Sequence, residues 1–195
     1  MGKPCGLKIV MESNGFKILQ AFDSALKSPC EICIYGRAAL SLGYTSHRLE
    51  HDRSLDVDLI LTTVQSKGLQ KDFDFWDALD ATNRQLAPSG LYVTHLFEES
   101  QVILLPDWYK TRVPLKLPFR KLKPFRLDGI NLLLSKMMRD DPEDMKDIQY
   151  ILSEEKFKVS KLKKAFAHAR LPNVPEIKLI FDKLVPKVLK AAETL

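Results

Sequence analysis

Arg53-Ser54-Leu55-Asp56-Val57-Asp58-Leu59-Ile60-Leu61 decides how this chain reads. From Leu55 to Leu61 the stretch alternates aspartate with aliphatic residues, the period of a β-strand. Residues two apart in a strand share a face, so Asp56 and Asp58 project together while Val57 and Leu59 turn to the core. Two carboxylates side by side on a half-buried sheet repel each other, and a cation between them relieves the cost. Oxygen ligands alone favour a hard ion such as magnesium, which usually shares its shell with substrate phosphates. The other reading of the same residues is an exposed edge strand with a polar face.

About 20 residues upstream, Ile32 to Tyr35 is an apolar run too short for a helix and reads as a buried strand. Gly36 follows, and Arg37 to Leu42 reads as a short helix opening directly after it. Glycine permits a tight turn and close backbone approach, and a helix N-terminus favours anionic groups. Glu12 to Lys27 carries Phe16, Leu19, Phe22 and Leu26 at helical spacing and is closed by Ser28-Pro29. Gly43 to Arg53 is polar and loop-like. A helix is expected from about Leu69 to Ala87 with Phe73, Trp76, Leu79 and Leu86 on its buried face, closed by Pro88-Ser89-Gly90. Leu91 to Phe97 and Gln101 to Leu105 read as two strands of a hairpin across Glu98-Glu99-Ser100.

Prolines at 106, 114, 118 and 124 make Pro106 to Leu127 a stretch of edge strands and connectors. Beyond it the pattern is helical. Asp128 caps a helix to about Arg139, and Asp141-Pro142 opens a second with Met145, Ile148, Ile151 and Leu152 on its apolar face. Two more are expected over about Ser160 to Ala169 and Pro175 to Ala192, with Pro186 kinking or dividing the last. The boundary between an α/β front part and a helical rear part falls near residue 127.

The chain has 195 residues, 45% of them apolar and 28% charged, enough for a real core and unlike a disordered segment. No apolar run approaches the roughly 20 residues needed to cross a bilayer, so no membrane is expected. The apolar stretch of Met1 to Val10 is too short for a signal peptide. Three cysteines, an odd number, argue against a disulfide framework and for a cytoplasmic protein. The formal charge of +5 is uneven: residues 1–109 hold 10 Lys and Arg against 14 Asp and Glu, residues 110–195 hold 20 against 11. Such asymmetry fits a nucleotide, phosphate or nucleic-acid partner, or lysines that only solvate helix faces.

In order and spacing, Gly36 at a strand-to-helix turn and then Arg53-Ser54-Leu55-Asp56-Val57-Asp58 resemble the signature of the nucleotidyltransferase superfamily, the DNA polymerase β-like fold. Small stand-alone members, toxin-type ones included, share a further feature that this chain resembles. Asp128 to Ser135-Lys136 matches their Asp-x-x-x-Leu-x-x-Ser/Thr-Lys helix, and Arg139, a carboxylate-rich turn to Asp144, and Asp147 follow. The likeness spans about residues 12–152. It implies an α+β fold: a nucleotidyltransferase-like mixed sheet flanked by helices over residues 1–127, with a helical C-terminal lobe over 128–195 packed on it.

The resemblance also implies chemistry. Asp56 and Asp58 would hold Mg2+ (or Mn2+) and Gly36 the phosphates of an NTP substrate. Arg37 would reach a phosphate or fill its place, and Lys136 would contact phosphate or partner the acidic cluster. The reaction implied is in-line transfer of a nucleotide to a nucleic-acid or protein acceptor, in a toxin–antitoxin setting. Two departures point the other way, to a catalytically incomplete protein that binds a nucleotide, RNA or a cognate partner protein. Arg37 stands where a second Gly or Ser is usual, and the third carboxylate has no obvious occupant, leaving His95, Glu98 and Glu99 as candidates. Cys30 and Cys33 read as core thiols, and His47 and His51 as surface residues. Trp76, Trp108 and Tyr109 read as packing or base-stacking groups, and Lys156, Lys158, Lys161, Lys163 and Lys164 as a solvated face or a nucleic-acid contact.

Overall fold

A computed structural model of the chain describes residues 12–46 and 49–194, apart from the side chains of Leu49 and His95. Met1 to Val10 and His47 lie outside the described residues. The chain forms two compact units, one reaching to Phe97 and taking in Val113–Arg126, the other made of Glu98–Arg112 and the chain from Leu127 onward.

In the first unit, β1 (Cys30–Tyr35), β2 (Asp56–Leu61), β3 (Tyr92–Glu98), β4 (Val113–Pro114) and β5 (Leu122–Arg126) form a mixed sheet in the order β3-β2-β1-β5-β4. Sheet and flanking helices make the fold α+β. β1 runs antiparallel to β2 and parallel to β5, and Ile32, Cys33 and Ile34 are all buried. A central strand covered on both faces needs this continuous apolar run rather than alternation. α1 (Asn14–Ala25) is capped by the Ser13 side chain, which accepts from Phe16 N, and buries Phe16, Ile18, Leu19 and Phe22. α2 (Gly36–Gly43) follows β1 without a linker. A short turn of helix, α3 (Leu49–Asp52), interrupts the stretch expected to be a loop.

The helix expected between β2 and β3 is present, and a shorter one precedes it. α4 (Thr63–Leu69) is closed by a Thr62–Gln65 capping box, and α5 (Phe73–Leu86) is capped by the Asp72 side chain, which accepts from Phe75 N. The buried stripe of α5 runs through Phe75, Ala78, Leu79, Thr82 and Leu86. Phe73 is 78% exposed and Trp76, whose Nε1 donates to the Leu69 carbonyl, is 40% exposed. Phe75 meets Phe22 of α1 edge to face at 5.5 Å. The outer edge of β3 is partly covered by α5, because the Asn83 side-chain amide donates to Val93 O and accepts from Val93 N as a neighbouring strand would.

β5 corrects the expectation of edge strands, since it lies between β1 and β4. Pro124 is tolerated there although it lacks an N–H; its carbonyl accepts from Leu115 N, outside the short β4. The segment entering β5 is held by Asp23 of α1, whose carboxylate accepts from the backbone N–H groups of Arg120, Lys121 and Leu122 at 2.7–3.1 Å. Burial pushes this carboxyl up, but the three N–H donors outweigh it and hold Asp23 below the usual carboxylate range. Asp23→Ala is expected to cost about 1–2 kcal/mol in urea unfolding at pH 7, the lower part of the range because water still reaches the carboxyl. A lowered folded pKa means the contribution is full above the unfolded value of about 3.9 and fades as pH falls through the folded one. Variant and wild type should therefore converge in stability toward pH 2; a constant gap would contradict the assignment.

In the second unit, Glu99–Gln101 is a 3-10 turn, not the bend of a hairpin. The Glu98 carboxylate and the Gln101 amide cap each other's backbone there, and no strand covers Gln101 to Leu105. Leu104 instead bridges Arg170 through both backbone bonds, and Leu105 N donates to Asn131 Oδ1. α6 (Trp108–Thr111) buries Trp108, whose Nε1 donates to Glu99 Oε2 at 2.8 Å, so this tryptophan is core and not a stacking platform. α7 (Gly129–Ser135) is capped by Asp128 and buried along its whole length. α8 (Pro142–Glu155), with Asp141 as its cap and Pro142 in its first turn, is followed by α9 (Val159–His168) and α10 (Pro175–Glu193). α10 is not divided at Pro186, which is exposed, so water can satisfy the carbonyl one turn back. Among the described residues no helix is long and apolar enough to cross a membrane.

Candidate functional site

β1 ends at Tyr35, and the chain turns from extended backbone into α2 within one residue. Gly36 makes that turn with φ of 72°, a left-handed value that side chains other than glycine's resist. Antiparallel pairing sets Tyr35 opposite Asp58, so the aspartate lies against the turn. A methyl group on Gly36 would stand 3.2 Å from Asp58 Oδ2. The glycine thus serves both conformation and close approach. Gly36→Ala is expected to lower stability by about 1–2 kcal/mol. Gly36→Asn, which tolerates the left-handed region better, should cost less for conformation alone. Urea midpoints of the two variants check this, and an undiminished midpoint for Gly36→Ala would refute it.

Asp56 and Asp58 are both half-buried, and Val57 and Leu59 between and beyond them are fully buried. The Ser54 hydroxyl donates to Asp56 Oδ1 at 3.0 Å, which orients that carboxylate from two residues before the strand begins. Tyr35, the residue before α2, does not cap its first turn through its own side chain. The result is a pair of carboxylates beside the opening turn of a helix. Such oxygen donors suit a hard divalent cation, which commonly completes its shell with water and phosphate oxygens. Among the described residues, no group of three or more His, Cys, Asp and Glu is arranged to hold a metal ion.

A buried cation, Arg126, stands at the same end of the sheet and was not picked out in the sequence. β5 and β1 run parallel, with Arg126 opposite Ile34, one residue before Tyr35. Arg126 is 7% exposed, and its guanidinium carbon lies 4.5 Å from the centre of the Tyr44 ring. The last residue of α2 makes room for it, since a methyl group on Gly43 would overlap Arg126 Cδ and Nε. The signal was present in the alternation of β5, where Leu122, Pro124 and Arg126 share the buried phase.

Arg37 is half-buried in the first turn of α2. His95 lies in β3, with its side chain outside the described residues. The Glu98 carboxylate caps the 3-10 turn and also accepts from Ser100 Oγ, while Glu99 holds Trp108; both belong to the second unit. Lys136, also in that unit, is buried, with Nζ 3.1 Å from Asp144 Oδ1 and 2.7 Å from Asp147 Oδ2. Lys136 thus pairs with two carboxylates of the acidic cluster. Cys33 is buried, and burial, helped by Asp72 and Glu31, pushes the Cys30 thiol up to about 11, which keeps it protonated. His51 is 1% exposed and so is not a surface residue.

Fold and site together define an α+β protein with a carboxylate pair set against a glycine turn. Over residues 17–178 the chain matches the family described as nucleotidyltransferase of unknown function (DUF6036). It belongs to that family. Neither the curated proteins nor the solved structures yield a match.

Proposed function

We propose that the protein transfers a nucleotide from an NTP to an acceptor on a nucleic acid or a protein, with Mg2+ (or Mn2+) held at Asp56 and Asp58. One observation carries the reading: Asp58 Oδ2 approaches to 3.2 Å of the place where Gly36 lacks a side chain. A carboxylate pair and the start of a helix then lie side by side. The turn at Gly36 and the first N–H groups of α2 would receive the phosphates, and Arg37 and Arg126 supply positive charge near them. The metal, when bound, would neutralise phosphate charge in the transition state. An acceptor hydroxyl oxygen forms the new bond to the α-phosphorus, the bond to the bridging oxygen breaks, pyrophosphate leaves, and the hydroxyl proton passes to solvent. The toxin–antitoxin setting belongs to this proposal on the strength of the sequence resemblance alone.

Calorimetric titration with each NTP, with and without Mg2+, tests the site. The proposal expects binding that requires the metal, and transfer of label from an α-labelled NTP to RNA or protein. A second reading, a nucleotide-binding protein without transfer, is favoured by one observation: Glu98 and Glu99, the carboxylates nearest in sequence to a third ligand position, cap a turn and hold Trp108. It expects NTP binding with no labelled acceptor.

A further inference from the structure

From Lys156 to Lys190 the chain holds ten Lys and Arg against two Asp and Glu. Within that run, Lys156, Lys158, Lys161, Lys163 and Lys164 occupy nine residues at the start of α9, and all five are exposed. Lysines elsewhere are often neutralised: Lys27 lies against Asp74, Lys110 against Asp107, Lys146 against Glu143, and Lys183 and Lys187 both against Asp140. Among the described residues no carboxylate lies within ion-pair distance of the five; Lys161 only sits 5.0 Å from the Phe157 ring centre. α9 contains no Asp or Glu at all. Lys161 and Lys164, one turn apart, repel each other with nothing to offset it.

The rest of the helix decides what such a face can meet. Leu162, Ala165 and Phe166 are buried, with Phe166 edge to face against Phe181 of α10 at 6.0 Å. The apolar stripe of α9 is therefore spent inside its own unit, and nothing is left to insert into a lipid surface as interfacial helices do. α9 shows no exposed large apolar side chain. Protein interfaces are built on such anchors and are poor in lysine, so a protein partner fits this face badly. A polyanion with closely spaced charges fits it well, because each lysine that meets a phosphate releases condensed counterions.

We infer that the Lys156–Lys164 face binds the sugar-phosphate backbone of a nucleic acid. The surface lies wholly in the second unit and holds whether or not Asp56 and Asp58 support nucleotide transfer. Backbone contact alone reads no sequence, so affinity should vary little between oligonucleotides of equal length and charge.

Fluorescence anisotropy with labelled single-stranded RNA and duplex DNA, titrated at several salt concentrations, tests it. If all five lysines meet phosphates, log affinity falls with log salt at a slope of about −3.5 on a single strand and about −4.5 on a duplex. K161Q/K163Q/K164Q should weaken binding at least about tenfold at 0.1 M salt and flatten the slope by about 2–3. K67Q/K71Q/K116Q makes the same change in net charge at three exposed lysines of the first unit and should bind as wild type does. D56N/D58N should also bind unchanged, which separates this surface from the proposed transfer site. Absence of wild-type binding, equal loss in the two triple variants, or equal affinity for phosphatidylserine vesicles would each overturn the inference. Circular dichroism of K161Q/K163Q/K164Q should match wild type, since no described ion pair is lost.

Discussion

Asp56→Asn with Asp58→Asn is expected to reduce nucleotide transfer at least about a thousandfold while leaving the protein folded. The magnitude follows from what the pair is asked to do. Metal-assisted stabilisation of phosphoryl charge is worth several kcal/mol, and each 1.4 kcal/mol is a factor of ten in rate. Asparagine keeps the size of both side chains but removes both negative charges, so cation affinity falls with little change in packing. Stability should shift by less than about 1 kcal/mol, because both groups are only half-buried and neither forms part of the apolar core. Relief of their mutual repulsion partly offsets a weaker Ser54 hydrogen bond at position 56, which the amide oxygen still accepts but without the charge. Labelling of acceptor from an α-labelled NTP, alongside a urea midpoint, measures both. Equal labelling by wild type and variant would end the transfer proposal, and a collapsed midpoint would mean that the aspartates are structural.

Much of the first unit was legible because its signals were local. Ile32 to Tyr35 announced a buried strand, Gly36 a turn, and Asp56 to Leu61 an alternating strand, and β1, α2 and β2 follow in that order. The errors arose where a capping side chain or a distant backbone partner, rather than hydrophobic spacing, decided the outcome. On α5 it is Phe75 that turns inward, while Phe73 and Trp76 stay exposed, a choice that hydrophobic spacing alone leaves open. Glu98 and Gln101 closed a 3-10 turn where the strand pattern suggested a hairpin, and the strand-like Leu104 found its backbone partner at Arg170, sixty-six positions on. The proline-rich stretch read as an edge, yet β5 is interior, because Pro124 could lose its donor and keep its carbonyl bonded to Leu115.

The candidate site divides in the same way. The meeting of Gly36 with Asp58 follows from a strand, a turn and an antiparallel neighbour, and so could be anticipated from spacing. Arg126 could not be placed without the parallel pairing of β5 with β1, a long-range choice that no local pattern encodes. A charged residue in the buried phase of a strand was nonetheless a readable anomaly, and it deserved the weight that the paired aspartates received.

Lys136→Met should be the most destabilising single substitution proposed, at about 3–5 kcal/mol. The Lys136 side chain is 10% exposed, and those of Asp144 and Asp147 are 6% and 2% exposed. Removing the cation leaves two carboxylates buried beside a thioether. Asp144 keeps Arg139, whose Nε and terminal nitrogen reach its Oδ2 at 3.0 and 2.9 Å, but Asp147 loses the ammonium at 2.7 Å. Arg139→Gln, by contrast, should cost less than about 1 kcal/mol, since that side chain is 72% exposed and water replaces its contact. Adding Asp144→Asn and Asp147→Asn to Lys136→Met should recover much of the loss, because the penalty comes from the uncompensated charges rather than from the missing lysine. Urea unfolding of the three proteins measures the series. It also separates the two roles open to this lysine: a structural ion pair moves the midpoint, whereas a phosphate contact moves NTP affinity. An unchanged midpoint with weakened NTP affinity in Lys136→Met would transfer Lys136 from the acidic cluster to the nucleotide.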